Sequence, residues 1–187
     1  MNIFEKLMLA KKMSFDDGAI YLLGNRVTII QSDFFVEYSM RANNSSDKIN
    51  ELYEVAKITF RDSIAKSIGK AYSFTFNDFF KWMTDIAMLA GWGIVKWQMI
   101  DKNKKIGVIT IEKSAVGGNL KGKVTSPVDH VIRGFIAGGA SASFNIDMDA
   151  IEEECIALNA SVCKFVFKPA GTFQRSEEID RQLSQRK

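Results

Sequence analysis

The sequence is poor in the residues that most often carry catalysis. It contains two cysteines and one histidine among 187 residues, so histidine chemistry would depend on His130 alone. A nucleophile elbow and a dinucleotide-binding fingerprint are absent, and the pair Gly117 and Gly118 lacks the strand, turn and helix spacing of a phosphate-binding loop. These absences argue against an enzyme.

Long apolar runs and blocks of one charge are also missing. The longest apolar stretches fall well short of the roughly 20 residues that a membrane-spanning helix needs. Residues 1–14 carry charges that fit an amphipathic N-terminal helix better than a signal peptide. The net charge of +3 comes from interleaved basic and acidic residues, which does not indicate a nucleic-acid partner. We therefore expect a cytoplasmic protein, whose cysteines are free or metal-bound rather than disulfide-bonded.

The hydrophobic pattern predicts several helices. Apolar residues at three- and four-residue spacing indicate a long helix over 47–68, and Asn77 or Asp78 can cap a second helix that ends at Gly91. Ser126-Pro127 is typical of a third helix start, since proline suits the first helical position. In that third helix the glycines at 134 and 138 share one face, where they allow close packing.

The rest of the chain predicts strands. A hairpin is expected about Gly24-Asn25, because glycine followed by a polar residue is a two-residue turn signal. Two further strands span 94–100 and 106–112, and a closing hairpin turns at Asn159. A chain of this length can bury a core as one domain. The sequence therefore predicts an α+β fold in which helices pack on an antiparallel sheet.

The closing hairpin brings the two cysteines together. If the chain folds back about Asn159, a residue type that tolerates the left-handed conformation, Cys155 lies directly opposite Cys163. Cross-strand neighbours lie about 4.5 to 5.5 Å apart. Two thiolates at that separation can bind one metal ion or form a disulfide.

Three groups of residues resemble a known family. They are Gly91-Trp92-Gly93, Ser126-Pro127-Val128-Asp129-His130, and Glu152 with Cys155 and Cys163-Lys164-Phe165. Together they resemble the 4-vinyl reductase-type or hydrocarbon-binding domain, which is related in fold to TRAPP tethering subunits. The resemblance covers roughly residues 15–168 and leaves 169–187 as a charged tail. It implies a domain that binds a small apolar molecule and is often dimeric.

The resemblance also implies a structural zinc site. Aromatic-sensing members of the family bind zinc through an upstream cysteine, a glutamate, a second cysteine three residues later and a third eight residues after that. Glu152, Cys155 and Cys163 match the last three positions. Asp129 stands where the upstream cysteine would be, so Asp129, the adjacent His130 or a water completes the site. An offset of three in a regular strand would point Glu152 away from Cys155, so either a bulge intervenes or Glu153 takes its place.

Aromatic and methionine side chains are the candidates for an apolar pocket. Those that we select as ligand-binding are Phe79, Met83, Trp97 and Phe135. The alternative is that they are ordinary core residues. The sequence therefore favours a small-molecule sensor with structural zinc, and the rival hypothesis is a ligand-free scaffold subunit like the TRAPP proteins. An enzyme acting on a tetrapyrrole or similar ring is a weaker third alternative.

Overall fold

A small three-stranded antiparallel sheet opens the computed structural model, which describes residues 13–22, 24–65 and 75–183. Its strands, in order, are β1 (Met13–Asp16), β2 (Ala19–Leu22) and β3 (Asn25–Val27). The predicted hairpin about Gly24-Asn25 is confirmed as the β2–β3 pair.

The predicted N-terminal helix over 1–14 lies largely outside the described residues. The prediction of helix is wrong for its last two residues, because Met13 and Ser14 belong to strand β1 and pair with β2. Asp17 and Gly18 both have positive φ, at 37° and 81°, and make the tight turn that forms this hairpin.

The helices account for the longest segments of the chain. They are α1 (Ser32–Ala42), α2 (Ser46–Thr59, continued by the π-helical segment Phe60–Ala65), α3 (Phe76–Leu89), α4 (His130–Phe144) and α5 (Glu177–Gln182). The predicted helix over 47–68 is confirmed as far as residue 65, and its remaining residues lie outside the described ranges. The second helix is capped by Thr75, which forms a reciprocal capping box with Asp78. None of the helices in the described ranges has the length and apolar character needed to cross a membrane.

The main sheet confirms the predicted α+β architecture. Its four antiparallel strands lie in the order β4 (Ile94–Asp101), β5 (Ile106–Glu112), β7 (Cys163–Pro169) and β6 (Met148–Glu154). Helix α4 contacts both this sheet and helix α2, and it is buried along most of its length.

Two glycines bring α4 close to α2, as the sequence predicts. A Cβ atom on Gly134 would lie 2.5 Å from the Tyr53 carbonyl oxygen, and one on Gly138 would lie 2.4 Å from the Lys57 carbonyl oxygen. Any larger residue would therefore push the two backbones apart. This packing fixes the position of α4, whose first turn forms part of the candidate site.

Helix α4 starts later than the predicted position at Pro127. The first helical hydrogen bond runs from the Arg133 amide to the Asp129 carbonyl at 2.9 Å, so Asp129 is the N-cap residue. The Asp129 amide donates instead to Glu152 Oε2 at 3.0 Å. A tertiary hydrogen bond thus sets this helix start, which local sequence preference did not predict.

Candidate metal centre

A β-bulge in β6 places the acidic and sulfur side chains on one side of the hairpin. Glu154 pairs with Lys164, but Glu152 pairs with Phe165, so Glu153 is the extra residue. The bulge reverses the alternation that would otherwise point Glu152 away from Cys155. Beyond it, a 3₁₀ turn ends at Asn159, which has the predicted left-handed conformation with φ 69°. Of the two alternatives that the sequence left open, a bulge or the use of Glu153, the structure shows the bulge.

Four buried side chains converge at this point. Asp129, Glu152, Cys155 and Cys163 each offer a ligand atom, and these atoms all lie within 4.8 Å of one another. None of the four residues is more than 2% exposed. Two sulfur and two oxygen donors suit a tetrahedral ion such as Zn²⁺. The cluster can therefore hold a metal ion.

Hydrogen bonds orient these side chains. The Ser114 hydroxyl lies 2.9 Å from both Asp129 carboxylate oxygens, and the Gly117 amide donates to Asp129 Oδ1 at 3.1 Å. The Ile156 amide donates to Cys163 Sγ at 3.3 Å. A Cβ atom on Gly117 would lie 3.1 Å from both Asp129 Oδ2 and Cys163 Sγ, so glycine lets this loop close over the cluster. Such outer contacts hold metal ligands in their binding orientation.

The electrostatics of the cluster favour a cation. Burial raises the pKa of Asp129, and burial together with the charge of Asp129 raises the pKa of Glu152. A hydrogen bond from Cys163 lowers the pKa of Cys155 to about 7, while the same bond and burial raise the pKa of Cys163. Four acidic groups this close cannot all ionise unless a positive charge joins them. Glu152 Oε1 is buried and accepts no hydrogen bond from the described residues, which fits an atom available to a metal.

The other two candidate metal ligands lie apart from the cluster. His130 is buried, but it begins helix α4 with its Nδ1 3.4 Å from Arg133 Nη2, and the four-residue cluster does not include it. Burial and the charge of Arg133 lower the pKa of His130, which is therefore a neutral imidazole. Glu153 turns outward and forms a 2.9 Å ion pair with Lys164. Of the alternatives left open by the sequence, the geometry favours Asp129 and Glu152.

The four candidate ligand-binding residues lie in the main hydrophobic core, a cluster that also includes Cys155 and Cys163. Phe79 and Met83 are buried, whereas Trp97 and Phe135 are partly buried against the same cluster. The Trp97 ring centroid lies 4.7 Å from that of Phe80, and the Phe135 centroid lies 5.5 Å from that of Phe60. The Trp97 indole donates to Thr84 Oγ1 at 2.7 Å, so its polar atom is satisfied. The four residues belong to one aromatic layer between α3, α4 and the sheet.

Several residues around the cluster could not be singled out from the sequence. Ser114 and Gly117 lie in a glycine-rich loop that carries no motif, and Gln182 lies in the charged tail. Gln182 hydrogen-bonds both backbone groups of Glu152, at 2.8 and 3.0 Å. Ser114 and Gly117 lie between strand β5 and Asp129 in the sequence. Their spacing gives no indication that they contact a carboxylate 12 to 15 residues further along the chain.

Comparison with solved structures identifies the fold. The chain superposes on the phenol-responsive sensory domain of the transcription activator PoxR with a TM-score of 0.75 and 16% identity, covering 95% of each chain. It also resembles trafficking protein particle complex subunit 3 from Naegleria fowleri, covalently bound to palmitic acid, with a TM-score of 0.52 and 10% identity over 77% of this chain and 93% of that one. A vinyl-4-reductase family protein from Methanocaldococcus jannaschii matches with a TM-score of 0.48 and 16% identity, over 76% and 83%.

Sequence comparison adds no family. No family model matches the chain, and no curated protein matches it. The fold that the sequence resemblance predicted is nevertheless confirmed. The chain has the fold of a sensory domain that is shared with a TRAPP subunit.

Metal binding to this centre should weaken on acidification. The Cys155 thiol has a pKa of about 7, and the pKa values of Cys163, Asp129 and Glu152 are raised, so the metal-free centre holds protons that a metal must displace. We expect Co²⁺ affinity, followed by its visible absorption, to fall about tenfold per pH unit for each proton displaced. Calorimetry in buffers of different ionisation enthalpy should show fewer protons released by Glu152→Gln than by the wild type. An affinity independent of pH would contradict this assignment of the protons.

Proposed function

We propose that the chain is a cytoplasmic sensor domain that binds a small hydrophobic or aromatic molecule. The observation that carries the proposal is its superposition over 95% of both chains on a sensory domain crystallised with phenol. The core supports it, because Phe79, Met83, Trp97 and Phe135 form an aromatic layer with few polar atoms, as an apolar ligand requires. Specificity would come from the shape of this layer, and a ligand would act by shifting the population of a dimer or of a partner-binding state.

The same proposal assigns Zn²⁺ to the buried cluster as a structural ion. Asp129, Glu152, Cys155 and Cys163 would supply all four ligands, which leaves no open position for catalysis. The ion would join the hairpin that carries the cysteines to the first turn of α4. Neutralising four acidic groups within 4.8 Å is the physical reason for expecting a divalent cation there.

A ligand-free scaffold is the second candidate. The likeness to a subunit of a trafficking complex supports a role in assembly, although that subunit is itself covalently bound to palmitic acid. The close packing of rings such as Phe80 and Trp97, at 4.7 Å, supports a filled core. A scaffold would use its surfaces for assembly and would leave this aromatic layer filled by its own side chains. Ligand binding therefore separates the two candidates.

The zinc assignment predicts a contrast between two neighbouring acids. Glu152→Gln should weaken Zn²⁺ affinity by about 100-fold or more, because it replaces a metal ligand. Mutating residues that only hydrogen-bond to metal ligands already lowers metal affinity by about 10- to 100-fold. Glu153→Gln is the matched control and should bind like the wild type, because Glu153 pairs with Lys164 at the surface. His130→Gln should also retain the metal. Competition with a chromophoric chelator measures all three affinities, and equal losses in Glu152→Gln and Glu153→Gln would refute the assignment.

The sensor proposal predicts that phenol, used as a probe, stabilises the protein. At about 100 times its Kd, a ligand that binds only the folded state adds about 2.7 kcal/mol to the free energy of unfolding. Met83→Phe should weaken binding at least several-fold by filling space in the aromatic layer, whereas Met99→Phe, at a 43%-exposed position on β4, should not. Thermal melts and tryptophan fluorescence report both effects on folded variants. If phenol, longer alkyl alcohols and palmitate all leave the melting temperature unchanged, the scaffold candidate is favoured.

A further inference from the structure

The segment after β7, residues 170–183, crosses the outer face of the main sheet as a strap. Gly171, with φ 77°, turns the chain at its start. Phe173 is buried against Ile151 and Val166, and Ile179 and Leu183 of the strap pack on the same small cluster. This second cluster is small, although Leu183 also packs against the main core, so a modest apolar area together with polar contacts holds the strap in place.

The strap docks on the backbone of one candidate metal ligand. The buried Gln182 side chain accepts from the Glu152 amide at 2.8 Å and donates to the Glu152 carbonyl at 3.0 Å. These are the two hydrogen bonds that a neighbouring strand would offer to the edge strand β6. The same amide nitrogen also donates to Glu178 at 2.7 Å, which ties it to its own helix.

A buried arginine joins the strap to α4 and to the acidic cluster. Arg133 is fully buried, and its Nη1 donates to the Gln182 carbonyl at 2.7 Å and to the Ala150 carbonyl at 3.1 Å. Its charge interacts with that of Glu152. The backbone and the charge of Glu152 are thus both linked to the strap. On its carboxylate, Oε2 accepts a hydrogen bond from the Asp129 amide, and Oε1 has no hydrogen-bond partner among the described residues.

We infer that metal occupancy of the cluster and docking of the strap are thermodynamically coupled through Glu152. This inference rests on the proposed metal centre. A cation would fix the Glu152 carboxylate and relieve the repulsion among the four acidic groups. Fixing this side chain would also hold the Glu152 backbone groups to which Gln182 is hydrogen-bonded. Without the cation, the Asp129 amide alone is hydrogen-bonded to the Glu152 carboxylate among the described residues, and movement of that side chain would shift the backbone on which the strap docks. Coupling of this kind is reciprocal, so undocking the strap weakens the metal site by the same factor.

The coupling gives the metal centre a means of altering the protein surface. The docked strap forms one wall of a cleft of about 190 Å³, whose other wall includes Tyr53 and Asp149. Release of the strap would remove that wall and expose the apolar side chains of Ile151 and Val166. The metal-loaded and metal-free proteins would therefore offer different surfaces to a partner.

Hydrogen–deuterium exchange of the zinc-loaded and chelator-stripped full chain tests one direction of the coupling. We expect stripping to raise exchange in the strap about tenfold, which lies within the usual range of coupling between sites. Exchange in helix α3, which contributes no residue to the metal cluster or to the small apolar cluster under the strap, should change much less. Elemental analysis of the same samples establishes whether the loaded protein holds one zinc per chain.

Variants in the strap test the reverse direction, even if stripping also loosens the rest of the fold. Phe173→Ala loosens the strap without touching Glu152, and Gln182→Ala removes the docking hydrogen bonds. Both should weaken Zn²⁺ affinity about tenfold. The control Glu177→Gln, at an exposed position of the same helix, should not. Circular dichroism confirms that each variant is folded.

The outcomes separate this inference from the metal proposal. One zinc per chain, with strap exchange and metal affinity unaffected by stripping and by both variants, would overturn the coupling and leave the metal centre intact. A loss of affinity in Gln182→Ala alone would also overturn it, because that result reflects a local contact rather than docking of the strap. Absence of bound zinc in the wild type would overturn both proposals.

Discussion

The arrangement of the C-terminal half depends on one electrostatic constraint, which is the burial of four acidic side chains within 4.8 Å of one another. Water cannot screen these groups, so they stay protonated or share a cation. Each comes from a segment that is fixed elsewhere in the fold. Asp129 precedes the first turn of α4 as its N-cap residue, Glu152 and Cys155 lie on opposite sides of the bulge at Glu153, and Cys163 begins β7. A cation at their centre would add a further link between α4, the edge strand β6 and the hairpin, which hydrogen bonds such as that from the Asp129 amide to Glu152 already join.

Close packing between helices α2 and α4 helps to hold the four acidic side chains together, because it fixes the position of the first turn of α4. Gly134 and Gly138 let α4 approach the backbone of α2, so the first turn of α4 is held against the sheet. Near this contact, Lys57 is buried and pairs with Asp147 at 2.9 Å and Asp149 at 2.8 Å, and Arg133 lies 4.5 Å from the centroid of the Tyr53 ring. Buried charges are tolerated when they are paired in this way. The resulting frame explains how an aromatic layer and a polar centre coexist in one small domain.

The sequence predicted those features that short-range chemistry determines. The eight-residue spacing of Cys155 and Cys163 and the tolerance of Asn159 for positive φ predict the hairpin. The odd offset of Glu152 left either a bulge or the use of Glu153, and the structure shows the bulge. Features that depend on tertiary contacts could not be predicted from the sequence. His130 and Asp129 are adjacent in the chain, yet a helix turns successive residues by about 100°, and only the fold shows that Asp129 joins the cluster. The roles of Gln182 and Arg133 depend on contacts 30 and 49 residues away along the chain.

The most direct test of this account is X-ray absorption at the zinc edge on the metal-loaded protein. The account predicts two sulfur neighbours at about 2.3 Å and two oxygen neighbours at about 2.0 to 2.2 Å, which correspond to the two cysteines and two carboxylates. A single sulfur, or a shell made only of nitrogen and oxygen, would contradict it, because the metal would then be bound elsewhere. The same would follow from an imidazole signal, since His130 lies outside the four-residue cluster.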